Sequence, residues 1–120
     1  ISIKGLEGST DLPTSRACIT GHFQEEIFQR IILHPKEHHC SEKDIAWTNL
    51  EEWSNQALAS LINKGPLQKA LRWNAGVYLW FCGISKTLEE GLTLAEQVMS
   101  SGLAKKKLDQ LITWQKEQKQ

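Results

Sequence analysis

The sequence predicts an α/β chain in which short strands, one hairpin among them, precede four helices. Two observations carry this reading. The first 35 residues hold turn signals between short β-compatible runs, whereas from Thr48 onward the apolar residues recur at helical spacing. At 120 residues there is room for one modest core. The expected layout is strands and loop over 1–35, a connector over 36–47 and helices over 48–117.

In the first part, Lys4-Gly5, Glu7-Gly8-Ser9 and Leu12-Pro13 mark turns. The runs Ala17–His22 and Ile27–Leu33 follow, and Phe23 to Glu26 would join them as a hairpin, although Gln and Glu are weak turn formers beside Asn-Gly. From Pro35 to Ala46 no hydrophobic period survives, which predicts a polar surface loop. Leu50, Trp53, Ala57, Leu58, Leu61 and Ile62 form one helix stripe, with Thr48 or Asn49 as its cap and Gly65 as its stop. Pro66 suits the first helical position of the next segment, Leu67 to Cys82, whose second half from Ala75 should be the most buried part of the chain. Thr87 and Glu90 have capping-box spacing for a helix from Leu88 to Met99. After Ser101 or Gly102, the residues Leu103, Leu108, Leu111, Ile112 and Trp114 mark the last helix, and the polar tail from Lys116 should fray. The apolar band of the second helix is wider than one neighbour can cover, so something else should pack on it.

Composition narrows the function classes. Apolar residues make up 40% and charged residues 23%, which suits a folded soluble chain. Fourteen basic residues balance fourteen acidic ones, so no global field draws in a polyanion. Three widely spaced cysteines without a CxxC pair suggest a reducing, cytoplasmic setting. The longest apolar stretch, Trp73 to Ile84, is too short to span a bilayer. The opening Ile-Ser-Ile reads as the start of a strand, as in a piece of something longer.

Four groups of residues bear on chemistry. Glu7 and Asp11 lie on a glycine-bearing loop after a strand, a setting suited to helping hold Mg²⁺ with substrate phosphates. The plainer reading makes them solvated carboxylates beside turn glycines, and on composition alone it is the favoured one. His34, His38, His39 and Cys40, with His22 upstream, hint at zinc but lack a partner pair of ligands, which favours a polar loop. Of the five tryptophans, Trp53, Trp80 and Trp114 sit on or beside apolar stripes and read as packing, while Trp73 alone has a basic neighbour, Arg72. Lys105 to Lys107 read as a solvated face. There is no Ser-His-Asp order, no phosphate-binding glycine loop and no HExxH pattern.

The run Asn74-Ala75-Gly76-Val77-Tyr78-Leu79-Trp80-Phe81-Cys82-Gly83, then Ser85-Lys86-Thr87-Leu88-Glu89-Glu90-Gly91, then Ser100-Ser101-Gly102-Leu103-Ala104 with Lys107-Leu108, resembles the C-terminal end of the anthranilate phosphoribosyltransferase family. There an Asn-Ala-Ala helix ends in Gly, a Ser-Leu-Glu-Glu-Gly segment starts the next, and a last helix follows Ser-Gly. Lys4 to Asp11 falls where the family has a His-Gly-x-Asp-Gly-Leu-Asp-Glu loop.

The resemblance implies the C-terminal portion, roughly the last third, of a nucleoside phosphorylase/phosphoribosyltransferase-type catalytic domain. It also implies a transferase that uses phosphoribosyl pyrophosphate and Mg²⁺ to place a ribose phosphate on the amine of anthranilate in tryptophan synthesis. The family's glycine-rich phosphate loop and N-terminal helices, which bind anthranilate and form a homodimer, lie upstream and have no counterpart here. The 120 residues alone are therefore expected to be inactive and to need the remainder of the catalytic chain as partner.

Departures from the pattern matter. The family's metal-holding Asp-Glu pair aligns with Thr10-Asp11, Glu7 aligns with the earlier Asp, and Lys4 stands where His is usual. The resemblance thus assigns the metal to Asp11 and Glu7, in a divergent branch. Some branches are thought to bind nucleic acid, and the alternative is a non-catalytic binding protein on this scaffold that uses Lys105 to Lys107 and Arg72. A third reading takes Val77 to Phe81 as a face for a partner helix.

Overall fold

Short runs rich in β-branched and aromatic residues build the sheet. Strands β1 (Ser2–Ile3), β2 (Cys18–Gln24) and β3 (Ile27–Leu33) form an antiparallel sheet in that order. The computed structural model describes Ser2, Ile3 and residues 10–119. Ser2 pairs with Gly21 and Ile3 with Thr20, while Cys18 pairs with Leu33 at one end of the hairpin and Gln24 with Ile27 at the other. The hairpin forms where the runs predict, but β2 continues to Gln24 and the turn is Glu25-Glu26 alone, at φ 50° and 67°. Positive φ at both central residues matches the twist of the strands, which is why this turn forms despite two residues that strain there.

One face of the hairpin is buried and the other is not. Cys18, Thr20 and Leu33 point into the core, whereas the cross-strand pairs Ile19 with Ile32 and Phe23 with Phe28 stay exposed, the phenylalanines at 62% each. Beyond β3, the predicted featureless connector contains a short 3-10 turn, Pro35–His38, followed by His39 in the left-handed region. That turn drives Cys40 into the core, fully buried, and its N–H donates to the Pro35 carbonyl at 2.9 Å. The expectation of a surface loop therefore fails at Pro35 and Cys40, which are buried anchors.

Helix α1 (Leu50–Ser60) starts on Asn49, whose side chain accepts the Glu52 N–H at 2.8 Å. It ends earlier than its stripe predicts, and the chain reverses through Asn63 and Gly65, both at positive φ. Helix α2 (Gln68–Phe81) begins just after Pro66-Leu67 and buries Trp73, Gly76, Val77 and Phe81. Its burial is thus a stripe through both halves, and Ala75, Leu79 and Trp80 remain half-buried. Val77 and Phe81 are inside the core, so they offer no face to a partner helix.

Helix α3 (Leu88–Ser100) is capped by Thr87, which accepts the Glu90 N–H at 3.1 Å, while the Glu90 carboxylate accepts from the Lys86 N–H. Leu88, Leu92, Ala95 and Met99 form its buried face. Helix α4 (Leu103–Gln118) has no buried residue, and it continues through Lys116 to Gln118 where fraying was expected.

The core lies between the sheet and α2–α3: Leu12, Cys18, Leu33, Cys40, Trp73, Val77, Phe81, Leu88 and Leu92, with Ile31 and Trp80 packed against it. The predicted wide apolar band of α2 is shared by the sheet on one side and α3 on the other. A further apolar groove of about 500 Å³ runs beside α2 and α3, lined by Leu71, Ala75, Leu79, Met99 and Ala104 among others. Among the described residues no helix is long and apolar enough to cross a membrane.

Candidate functional site

Asparagine is a poor helix former, because its amide competes for backbone hydrogen bonds. Asn74 nevertheless sits in the middle of α2, and its contacts explain why. Its Oδ1 accepts the Leu12 N–H at 2.7 Å, and its Nδ2 donates to the Leu12 carbonyl at 3.1 Å and to the Ala70 carbonyl at 3.0 Å. Both amide donors are used, and the side chain reads the Leu12 backbone as a paired strand would. One turn further along the same helix face, the Tyr78 hydroxyl donates to the Thr10 carbonyl at 3.1 Å.

The far side of the loop is held as well. The Glu42 N–H donates to the Thr14 carbonyl at 3.2 Å, and the Thr14 hydroxyl donates to the Glu42 carbonyl at 3.4 Å. Leu12, only 2% exposed, plugs the core between these two anchors. Asp11 therefore lies on the surface between two backbone-anchored residues, Thr10 and Leu12.

Asp11 also borders a cavity of about 440 Å³ whose apolar side includes Trp53, Leu67 and Leu71 and whose polar side includes Asn74, Glu42 and Asp44. Glu42 and Asp44 on the same rim are held by cations. Glu42 pairs with Lys69 at 3.1 Å and Asp44 with Arg16 at 3.3 Å. The hydrogen bond and positive charge of Lys69 hold the Glu42 carboxyl below the usual range. The pair is thus charged at neutral pH, and its contribution is lost only as pH falls through that lowered value.

Of the residues assigned to the metal, Asp11 is placed as above, and Glu7 lies outside the described residues. The histidines do not converge. His22 stacks on Phe81 with ring centroids 5.1 Å apart, and His38 tilts against Trp73 with Nδ1 3.5 Å from the Glu89 carboxylate, while His34 and His39 are exposed. The Cys40 thiol donates to the His38 carbonyl at 3.3 Å, and burial pushes it up although Arg72 and Lys69 pull it down. Among the described residues no group of three or more His, Cys, Asp or Glu could by itself hold a metal ion.

Of the tryptophans expected to pack, Trp80 does so, against the core, and Trp53 and Trp114 do not. Trp73 is fully buried, whereas Trp53 and Trp114 are 48% and 55% exposed. Residues 73, 77 and 81 lie four apart and make the stripe that faces the core. Arg72 is committed too, its Nε 3.1 Å from the Glu96 carboxylate and its Nη1 3.6 Å from the Cys40 sulfur. This weakens the polyanion reading, which needs Arg72 together with Lys105 to Lys107. Lys105 pairs with Asp109 along α4.

No protein-family model matches the chain. Curated proteins do. An anthranilate phosphoribosyltransferase of Laribacter hongkongensis is 29% identical over 114 residues, which are 92% of this chain and 33% of that protein. Proteins of the same name from Burkholderia ambifaria and Methanobrevibacter smithii are 25% and 26% identical, over 92% and 95% of the chain. The chain spans about a third of the length of these relatives. The similarity to anthranilate phosphoribosyltransferases that the motifs imply therefore extends over nearly the whole of this chain.

Proposed function

We propose that this chain is the C-terminal portion of an anthranilate phosphoribosyltransferase-like enzyme that moves a phosphoribosyl group from phosphoribosyl pyrophosphate to an aromatic amine, in tryptophan synthesis or a related pathway. The observation that carries the reading is the contact between the two segments on which the resemblance rests. Leu12 at the end of the loop and Asn74 at the start of the α2 segment are 62 residues apart, yet the two segments meet through three direct hydrogen bonds, two between Leu12 and Asn74 and one from Tyr78 to Thr10. The uncovered apolar surface agrees with it. Ile19, Phe28, Leu50, Leu103 and Trp114 are all more than two-fifths exposed, the kind of surface that the rest of a larger domain covers.

The donors present fit Mg²⁺ under one condition. Asp11 offers a carboxylate and Thr10 a neutral hydroxyl, and Mg²⁺ is commonly held by one or two carboxylates together with water and substrate phosphates. Asp11 would thus hold an ion shared with pyrophosphate, with Glu7 as its second carboxylate. When bound, the ion would neutralise charge on the departing pyrophosphate. The chain's own task is positioning: an anchored loop keeps Asp11 in one place, so little ordering cost falls on binding.

Replacing Asp11 with alanine in the naturally encoded protein is expected to weaken Mg²⁺-dependent binding of phosphoribosyl pyrophosphate by about tenfold or more, as for loss of a charged hydrogen-bonding or metal-binding group. Calorimetric titration with and without Mg²⁺ measures it. Equal affinity for both proteins would remove Asp11 from the site.

A further inference from the structure

We propose that Asn74 and Tyr78 are positioning residues: from one face of α2 they clamp the backbone on both sides of Asp11 and so set where its carboxylate stands. The inference rests on Asp11 being the Mg²⁺-pyrophosphate ligand, and it adds two residues to that site which neither composition nor motif chemistry points to.

The geometry supports the assignment at each atom. Asn74 takes both backbone groups of Leu12, and Tyr78 takes the carbonyl of Thr10, so Asp11 lies between two peptide units that the helix holds. Pro13 has no N–H and a ring-restricted φ, and Thr14 is tied to Glu42 in both directions. No stretch of the loop from Thr10 to Thr14 is left to swing. The helix that does the clamping is itself fixed, because Trp73 and Val77, the neighbours of Asn74 and Tyr78 in sequence, are fully buried. Asparagine suits the role because its amide has one acceptor and two donors on a short stem, and all three are used here. Aspartate would set a carboxylate against the Leu12 and Ala70 carbonyls, and alanine would leave the Leu12 backbone without its partner.

The experiment compares Asn74→Ala, Tyr78→Phe and Asp11→Ala in the naturally encoded protein. The readouts are amide hydrogen exchange at Leu12 and along α3, and affinity for inorganic pyrophosphate in Mg²⁺. Tyr78→Phe removes one hydroxyl and keeps the ring, so it folds even if Asn74→Ala does not. The expected result is a Leu12 amide that exchanges about tenfold faster in Asn74→Ala, with unchanged protection in α3 and pyrophosphate affinity about tenfold weaker, as for loss of one or two net hydrogen bonds. Tyr78→Phe weakens affinity by a smaller factor in the same direction. Unchanged affinity in both α2 variants while Asp11→Ala loses binding would overturn the clamp and leave the Asp11 assignment standing. Unchanged affinity in Asp11→Ala would overturn that assignment and the clamp with it.

Discussion

Alanine at Gly76 or at Gly91 is expected to destabilise the protein by about 3 kcal/mol, the upper part of the range for overpacking a tight contact. The reason is where α2 crosses α3. A Cβ built on Gly76 meets the Leu92 backbone, Cα and N at 2.9 Å, and one built on Gly91 meets the Gly76 carbonyl oxygen and the Ser85 hydroxyl. Backbone atoms cannot rotate away as a side-chain tip can, so the helices must separate. The separation would pull Val77 and Leu92, both in the core, off their contacts. Alanine is the better helix former by about 1 kcal/mol, which offsets only part of this. Gly102→Ala is the control: it has open space around its Cβ but φ of +79°, so it should lose only about 1–2 kcal/mol from backbone strain. Urea midpoints of the three variants give the comparison. Wild-type stability in Gly76→Ala would show that the two helices do not need this close approach.

Removing Trp73 should have an effect of similar or larger size. Trp73→Ala is expected to cost about 3–5 kcal/mol, since the largest fully buried side chain leaves a cavity between the sheet and α2. Trp73→Phe should cost far less. Among the described residues the buried indole Nε1 has no hydrogen-bond partner, so losing its N–H leaves no acceptor stranded there, and the remaining loss is one of ring volume. The same urea experiment separates the two. Equal losses for alanine and phenylalanine would mean that the N–H, rather than the ring, holds the site together.

What could be read from sequence follows from the range of the forces involved. Helix α3 was legible in full, because its cap, Thr87 with Glu90, and its stripe, Leu88, Leu92, Ala95 and Met99, are local patterns. The hairpin was legible as two runs, but its Glu25-Glu26 turn was not, since strand pairing overrides the weak preference of those residues. Trp73 stood out for its basic neighbour Arg72, and its spacing to Val77 and Phe81 held the signal for burial. Exposed Trp53 and Trp114 lie on real amphipathic stripes, and a stripe shows which face is apolar without showing that anything covers it. Asp11 was reachable as a candidate, by its residue type and by resemblance. Its clamp was not, because Asn74 and Leu12 are brought together by the packing of the loop on α2 and by no pattern within either segment.

The proposed function is phosphoribosyl transfer by the enzyme to which these residues belong. Its most direct test is to incubate the naturally encoded protein with phosphoribosyl pyrophosphate, Mg²⁺ and anthranilate and to follow release of pyrophosphate. The expected result is release that requires both the amine and the metal and that drops sharply in Asp11→Ala. No release with anthranilate or with other aromatic amines, from a protein shown to be folded, would contradict it.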